Sequence, residues 1–68
     1  MKSAALRLGK NLKRIRMGKG ISQGAIARTL AMDKGFVSNI EAGKTNPTLF
    51  TITKLAKVVG VSPSELLR

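Results

Sequence analysis

The sequence contains neither cysteine nor histidine. Without thiols there is no disulfide framework and no thiolate metal site. Without imidazole the commonest general base and metal ligand is missing. Acids are almost as scarce, with Asp33, Glu41 and Glu65 the only three. Tryptophan and tyrosine are absent and phenylalanine occurs twice, so any core must be built from Leu, Ile, Val and Ala. No apolar run approaches the ~18–20 residues needed to span a bilayer, and no signal-peptide pattern opens the chain. The expectation is a soluble, cytoplasmic protein with no membrane partner, no cofactor and no evident small-molecule ligand. A chain of 68 residues makes one domain, residues 1–68. Such a chain buries only about 60% of its unfolded surface, so with no covalent staple its stability must come from helix packing.

What is abundant is positive charge. Thirteen Lys and Arg against three acids give a formal charge of +10. So small a protein with that imbalance repels itself, and an anionic polymer is the partner that best compensates. A uniformly solubilised surface is the plainer alternative. A membrane-surface peptide fits less well, because the basic residues are not confined to one amphipathic helix.

The remaining chain is organised around residues 22–43, SQGAIARTLAMDKGFVSNIEAG. Ser22 is a good N-cap, and Ile26, Ala27 and Leu30 follow at helical spacing, which predicts a helix over residues 23–31. Met32-Asp33 break the pattern. Asp33 is placed to cap a second helix from Lys34 to Ala42 with Val37 and Ile40 inward, and Gly43 supplies the left-handed stop. Two short helices with so brief a connector must cross steeply, which is the helix-turn-helix arrangement, its second helix presented to the DNA major groove. On that helix Asp33 and Glu41 share the inward side, whereas Gly35, Ser38, Asn39 and Ala42 face out. Lys34 can donate to guanine, Asn39 can pair with adenine, and Ser38 can bond a base or a phosphate. Phe36 lies on the flank and is read as a base contact to a thymine methyl, with cover of the core edge as the alternative. Gln23 is read either as a phosphate contact at the open N-terminus of the first helix or as an ordinary first-turn polar residue. An inward Glu41 needs a partner. Arg16, one position past Ile15, is the best candidate; a solvated surface acid is the alternative.

Outside this stretch, residues 1–3 read as a loose arm with Lys2 free to reach a phosphate. Residues 4–18 read as a helix with Leu8, Leu12 and Ile15 buried, and Gly9 suits a close helix crossing. Lys44, Thr45 and Asn46 in the loop GKTNPT are placed to clamp the DNA backbone. Thr48 caps a helix over residues 49–59 whose inward positions are Leu49, Ile52, Leu55, Ala56 and Val59, with Lys54 and Lys57 wet. Ser62-Pro63-Ser64-Glu65 reads as a capping box opening a short fifth helix. Phe50, Val58 and Leu67 are apolar residues left for a dimer interface, although isolated exposed apolar residues are ordinary.

From Leu12 to Leu67 the sequence resembles the Cro/cI-type (XRE-type) helix-turn-helix family, over about four-fifths of the chain. The SQ start, the S-x-I-E-x-G-K pattern and the NPT loop carry the likeness at their relative spacing. The loop and the helices after it look closest to short stand-alone members, including controller proteins of restriction–modification systems. The resemblance implies an all-α, five-helix, lambda-repressor-like domain that binds palindromic operators as a homodimer. It also implies a phosphate contact at Gln23, a base-facing side of Lys34, Gly35, Ser38 and Asn39, and an Arg16–Glu41 pair. Gly24 and Gly35 depart from the common pattern. The function expected is sequence-specific regulation of transcription on double-stranded DNA, in association with the nucleoid. An antitoxin, or the DNA-binding module of a larger regulator, is the alternative, and the end of the chain at Arg68 leaves little room for a toxin-binding segment. An enzyme is not expected, since three acids with no His or Cys do not assemble an acid–base pair once Glu41 is engaged.

Overall fold

The structure, a computed structural model, describes residues 3–68; the reading of Lys2 as a phosphate-reaching arm lies outside the described residues. Five helices follow one another: α1 (Ala4–Gly18), α2 (Gln23–Leu30), α3 (Lys34–Glu41), α4 (Leu49–Val59) and α5 (Pro63–Leu67). Among the described residues there is no strand, and no helix is long and apolar enough to cross a membrane. The fold is all-α, as the periodicity and the resemblance led one to expect.

Local chemistry explains where these helices begin. Ser3 is part of α1's start rather than of a loose arm, because its Oγ accepts from Leu6 N at 3.2 Å. Ser22 Oγ accepts from Ala25 N at 3.0 Å, and Thr48 Oγ1 accepts from Thr51 N at 3.2 Å. Each such cap satisfies a donor that the helix itself leaves orphaned, an effect of about 1 kcal/mol. Two expected caps fail. Asp33 and Ser62 occupy the N-cap positions of α3 and α5 without a side-chain cap hydrogen bond. Ser62 Oγ lies 2.9 Å from Ser64 Oγ instead, so the capping box does not form. Asp33 is also exposed rather than inward.

Four helices end on the same closure, in which the amide just past the left-handed residue reaches back five residues. The bonds are Ile21 N to Arg16 O (3.0 Å), Met32 N to Ala27 O (2.8 Å), Lys44 N to Asn39 O (2.9 Å) and Val61 N to Ala56 O (3.0 Å). Each closure needs one residue in the left-handed region. Gly20, Gly43 and Gly60 supply it at φ 70°, 73° and 75°, but after α2 the residue is Ala31, at φ 54°. Ala31 and Ala42 are thus caps beyond α2 and α3, one residue outside the helices they were expected to end.

The core is aliphatic. Leu12, Ile26, Val37, Ile40, Leu55 and Leu66 are fully buried, and Leu8, Ala27, Ile52, Ala56 and Val59 complete it. Each large side chain of this kind contributes roughly 1.5–3 kcal/mol by leaving water. Ile15, Ile21, Leu30, Met32, Phe36, Val58 and Val61 pack against its edge, half-buried. Leu49 was expected in this core and is not; it is 69% exposed at the first position of α4. Helix α1 packs on both α3 and α5, α2 on α3 and α4, and α4 on α5. The α1–α5 contact includes a residue that sequence reasoning passed over: Asn11 Nδ2 donates to Leu66 O at 2.9 Å and to Arg68 O at 3.4 Å.

Candidate nucleic-acid interface

Helix α3 buries one side completely and leaves the other bare. Val37 and Ile40 are fully buried, whereas Lys34, Gly35, Ser38 and Asn39 are all exposed. A helix eight residues long with Gly, Ser and Asn on its open side has little bulk to keep another backbone away. Its open side can therefore approach the edges of stacked bases, with Lys34 and Asn39 as its longer donors. Phe36 is half-buried against the core, the second of the two positions read for it.

The inner end of α3 is tied to α1 and α2 through one carboxylate. Glu41, 3% exposed, accepts from Arg16 Nε at 2.6 Å and from Arg16 Nη2 at 3.0 Å, a bidentate fork. Arg16, 12% exposed, also donates from Nη1 to Ile21 O at 3.0 Å, which holds the connection leading into α2. Gln23 completes the group by donating from Nε2 to Glu41 Oε1 at 2.9 Å. So Gln23 is not an idle first-turn side chain: it joins the start of α2 to the end of α3, and its amide is partly engaged. No buried side-chain polar atom among the described residues lacks a partner. That matters because an uncompensated charge here costs several kcal/mol.

Two glycines let the same elements meet. A Cβ on Gly9 of α1 would lie 2.6 Å from Glu41 O and closer still to Ile40 O. Those are backbone atoms, which cannot swing aside, so only glycine permits this crossing. Gly43 combines its left-handed turn with close contact to Leu6, whose Cα lies 3.1 Å from where a Cβ would stand. The loop that follows leaves Lys44 and Asn46 exposed and Thr45 half-buried. Sequence reasoning passed over one cation on α2. Arg28 lies one turn beyond Gly24, and its Nη1 is 3.5 Å from the place a Gly24 Cβ would take. The i, i+4 spacing was the signal that could have found it.

The apolar residues set aside for an interface separate. Phe50 is 71% exposed and Leu67 40%, but Val58 packs against the core, because its side of α4 is covered. Lys54 is not simply wet, since its Nζ lies 4.8 Å from the centre of the Phe50 ring.

The chain as a whole is similar to known proteins. The family model HTH_3, Helix-turn-helix, matches residues 12–66. The chain belongs to this helix-turn-helix family. Over 60 residues it is 35% identical to the HTH-type transcriptional regulator y4dJ of Sinorhizobium fredii, covering 88% of this chain and 78% of that one. It is 34% identical to the control protein C.MunI of a Mycoplasma species, over 97% of this chain and 90% of that one. The solved structure of the restriction-modification controller protein C.AhdI from Aeromonas hydrophila superposes with a TM-score of 0.85 at 34% identity. That match covers 91% of this chain and 94% of C.AhdI. The chain spans smaller shares, 56% and 35%, of two longer HTH-type transcriptional regulators. Within this helix-turn-helix frame, α2 and α3 are the two helices of the motif.

Proposed function

We propose that this helix-turn-helix protein is a sequence-specific, double-stranded-DNA-binding regulator of transcription that acts in the cytoplasm, on the nucleoid, as a homodimer on a palindromic operator. The observation that carries this is the division of α3: a fully buried Val37–Ile40 side opposite an exposed Lys34, Gly35, Ser38 and Asn39 side. Lys34 and Asn39 read base edges in the major groove, Gly35 lets the backbone come close, and Ser38 bonds a base or a phosphate. Lys44, Thr45 and Asn46 hold the phosphate backbone after the recognition helix. Gln23 takes part with the N–H of Nε2 that Glu41 does not use, beside the free amides at the start of α2. The net charge of +10 supports the same partner.

For the dimer, Phe50 and Leu67 remain in the interface, Leu49 joins them, and Val58 plays a supporting part from the core side. Two-fold docking places the two recognition helices about 34 Å apart, one turn of DNA. Selection of bound duplexes from a random pool tests the whole reading. It should return a half-site repeated with two-fold symmetry; a pool with no enriched sequence would overturn it. Sedimentation at micromolar concentration showing monomer alone, with and without the selected duplex, would overturn the dimer. The second reading is the DNA-binding module of a larger regulator. It is favoured by the 56% and 35% shares of longer relatives, and a partner captured by the full-length product of the native gene would raise it.

A further inference from the structure

Few of the basic side chains lie on the recognition side. Lys34 and Lys44 do, and Arg16 is spent on Glu41. Helix α1 carries a separate set. Among its fifteen residues there is no acid, and Arg7, Lys10 and Arg14 are all exposed. At 100° per residue these three lie within about 60° of one another, opposite the buried direction of Ala5, Leu8 and Leu12. Gly9 and Arg16 mark the edge of α1 that meets α3. The basic row lies about 140° round the helix from that edge. It therefore points away from α3.

The row brings like charges together along its helix. Arg7–Lys10 at i, i+3 and Lys10–Arg14 at i, i+4 are like-charge neighbours, and such pairs weaken a helix. Neither Arg7 nor Arg14 forms an ion pair with a carboxylate among the described residues. Arg14 is steadied instead by a hydrogen bond from its Nη2 to Asn11 Oδ1 at 3.4 Å. The row runs about 10 Å along the helix axis, the axial length of about three phosphates on one DNA strand. A second copy of this chain does not suit this face, because each copy offers only three acids to answer the row.

We propose that the outer face of α1, through Arg7, Lys10 and Arg14, is a second, sequence-independent contact for duplex DNA. It lets one molecule hold a second duplex, or a looped-back part of the first, while α3 occupies its site. The contact is with phosphates only, so it adds salt-dependent affinity without base preference. This rests on the DNA-binding reading, and the test separates the two.

A fluorescent selected duplex and a biotinylated duplex of unrelated sequence are mixed with protein at low salt. Anisotropy reports binding of the first alone, and capture on streptavidin reports bridging. The wild type should bind and bridge. Arg7→Gln/Arg14→Gln should hold the selected duplex within twofold, with an unchanged circular-dichroism spectrum, and lose at least tenfold in capture. Arg7→Lys/Arg14→Lys, which keeps the charge, should retain capture. Undiminished capture by the glutamine variant overturns the proposal, as does a wild type that binds one duplex and never captures the second. So does capture that is lost in Lys34→Ala but kept in the glutamine variant, because the bridge would then run through two recognition helices of a dimer. A wild type that binds no duplex at all overturns the DNA-binding reading itself, which anisotropy alone reveals.

Discussion

The two ends of α3 are built on different principles. At its N-terminal end the chain is poorly provided for. Ala31 holds a left-handed conformation that three other closures give to glycine, and Asp33 stands at the cap position without capping. At its C-terminal end everything is specified: a glycine turn at Gly43, the Gly9 crossing, and a buried carboxylate with donors from Arg16 and Gln23. Helix α3 is therefore positioned from behind, by α1, more than by the turn that introduces it. On the proposed reading the end that enters the groove is the less restrained one, which suits a helix whose first residues settle against base edges.

Substitutions at each end can break or sharpen this contrast. The largest effect should come from Arg16→Ala, which leaves Glu41 buried and unpaired and should cost about 3–5 kcal/mol in urea unfolding. A loss under about 1 kcal/mol would mean that α3 is not held from that end. Gly9→Ala should follow at about 1–3 kcal/mol, through overpacking against the backbone of Ile40 and Glu41. If it were neutral, the crossing would have to be looser than its geometry indicates.

The N-terminal end should matter to reading instead. Lys34→Ala is expected to cost roughly 1–3 kcal/mol of discrimination at one or two base positions. Lys44→Ala should weaken every sequence alike and lower the salt slope by about 1. Competition binding at several salt concentrations distinguishes them, and identical specificity changes would remove the division between reading and clamping. Ala31→Gly should stabilise the fold by about 0.5–1 kcal/mol, since relief of the left-handed strain exceeds the added freedom of the unfolded chain. Asp33→Ala should be smallest, within about 0.5 kcal/mol by thermal unfolding, because no cap hydrogen bond is there to lose.

Much of the fold could be read from the chain because its signals are local. Ser22, Thr48, Gly43 and Gly60 act on their own neighbours within five residues, so spacing alone locates the helix ends they make. Caps without that geometry misled: Ser62 has the right residue type and spacing, yet its hydroxyl finds Ser64 first. Leu49 misled for another reason. Its angular position on α4 agrees with the inward residues, but it stands at the helix's first turn, past the elements that cover Ile52 and Leu55. Periodicity gives a direction and says nothing of whether anything lies there. Val58 shows the converse, a position that looked free and is covered.

By itself the sequence determined five helices, a core of Leu, Ile, Val and Ala, an excess of positive charge, and a polar outer side on residues 34–42. These follow from periodicity, capping and composition, which need no distant partner. Only the tertiary structure decided that Gln23 turns toward Glu41, that Asn11 holds the end of α5, and that Gly9 is a seat for two carbonyls of α3. Each joins residues 18 to 55 positions apart or more than one helix away, through hydrogen bonds and close contacts only a few ångströms long. Spacing along a chain carries no information about such meetings until the helices have packed.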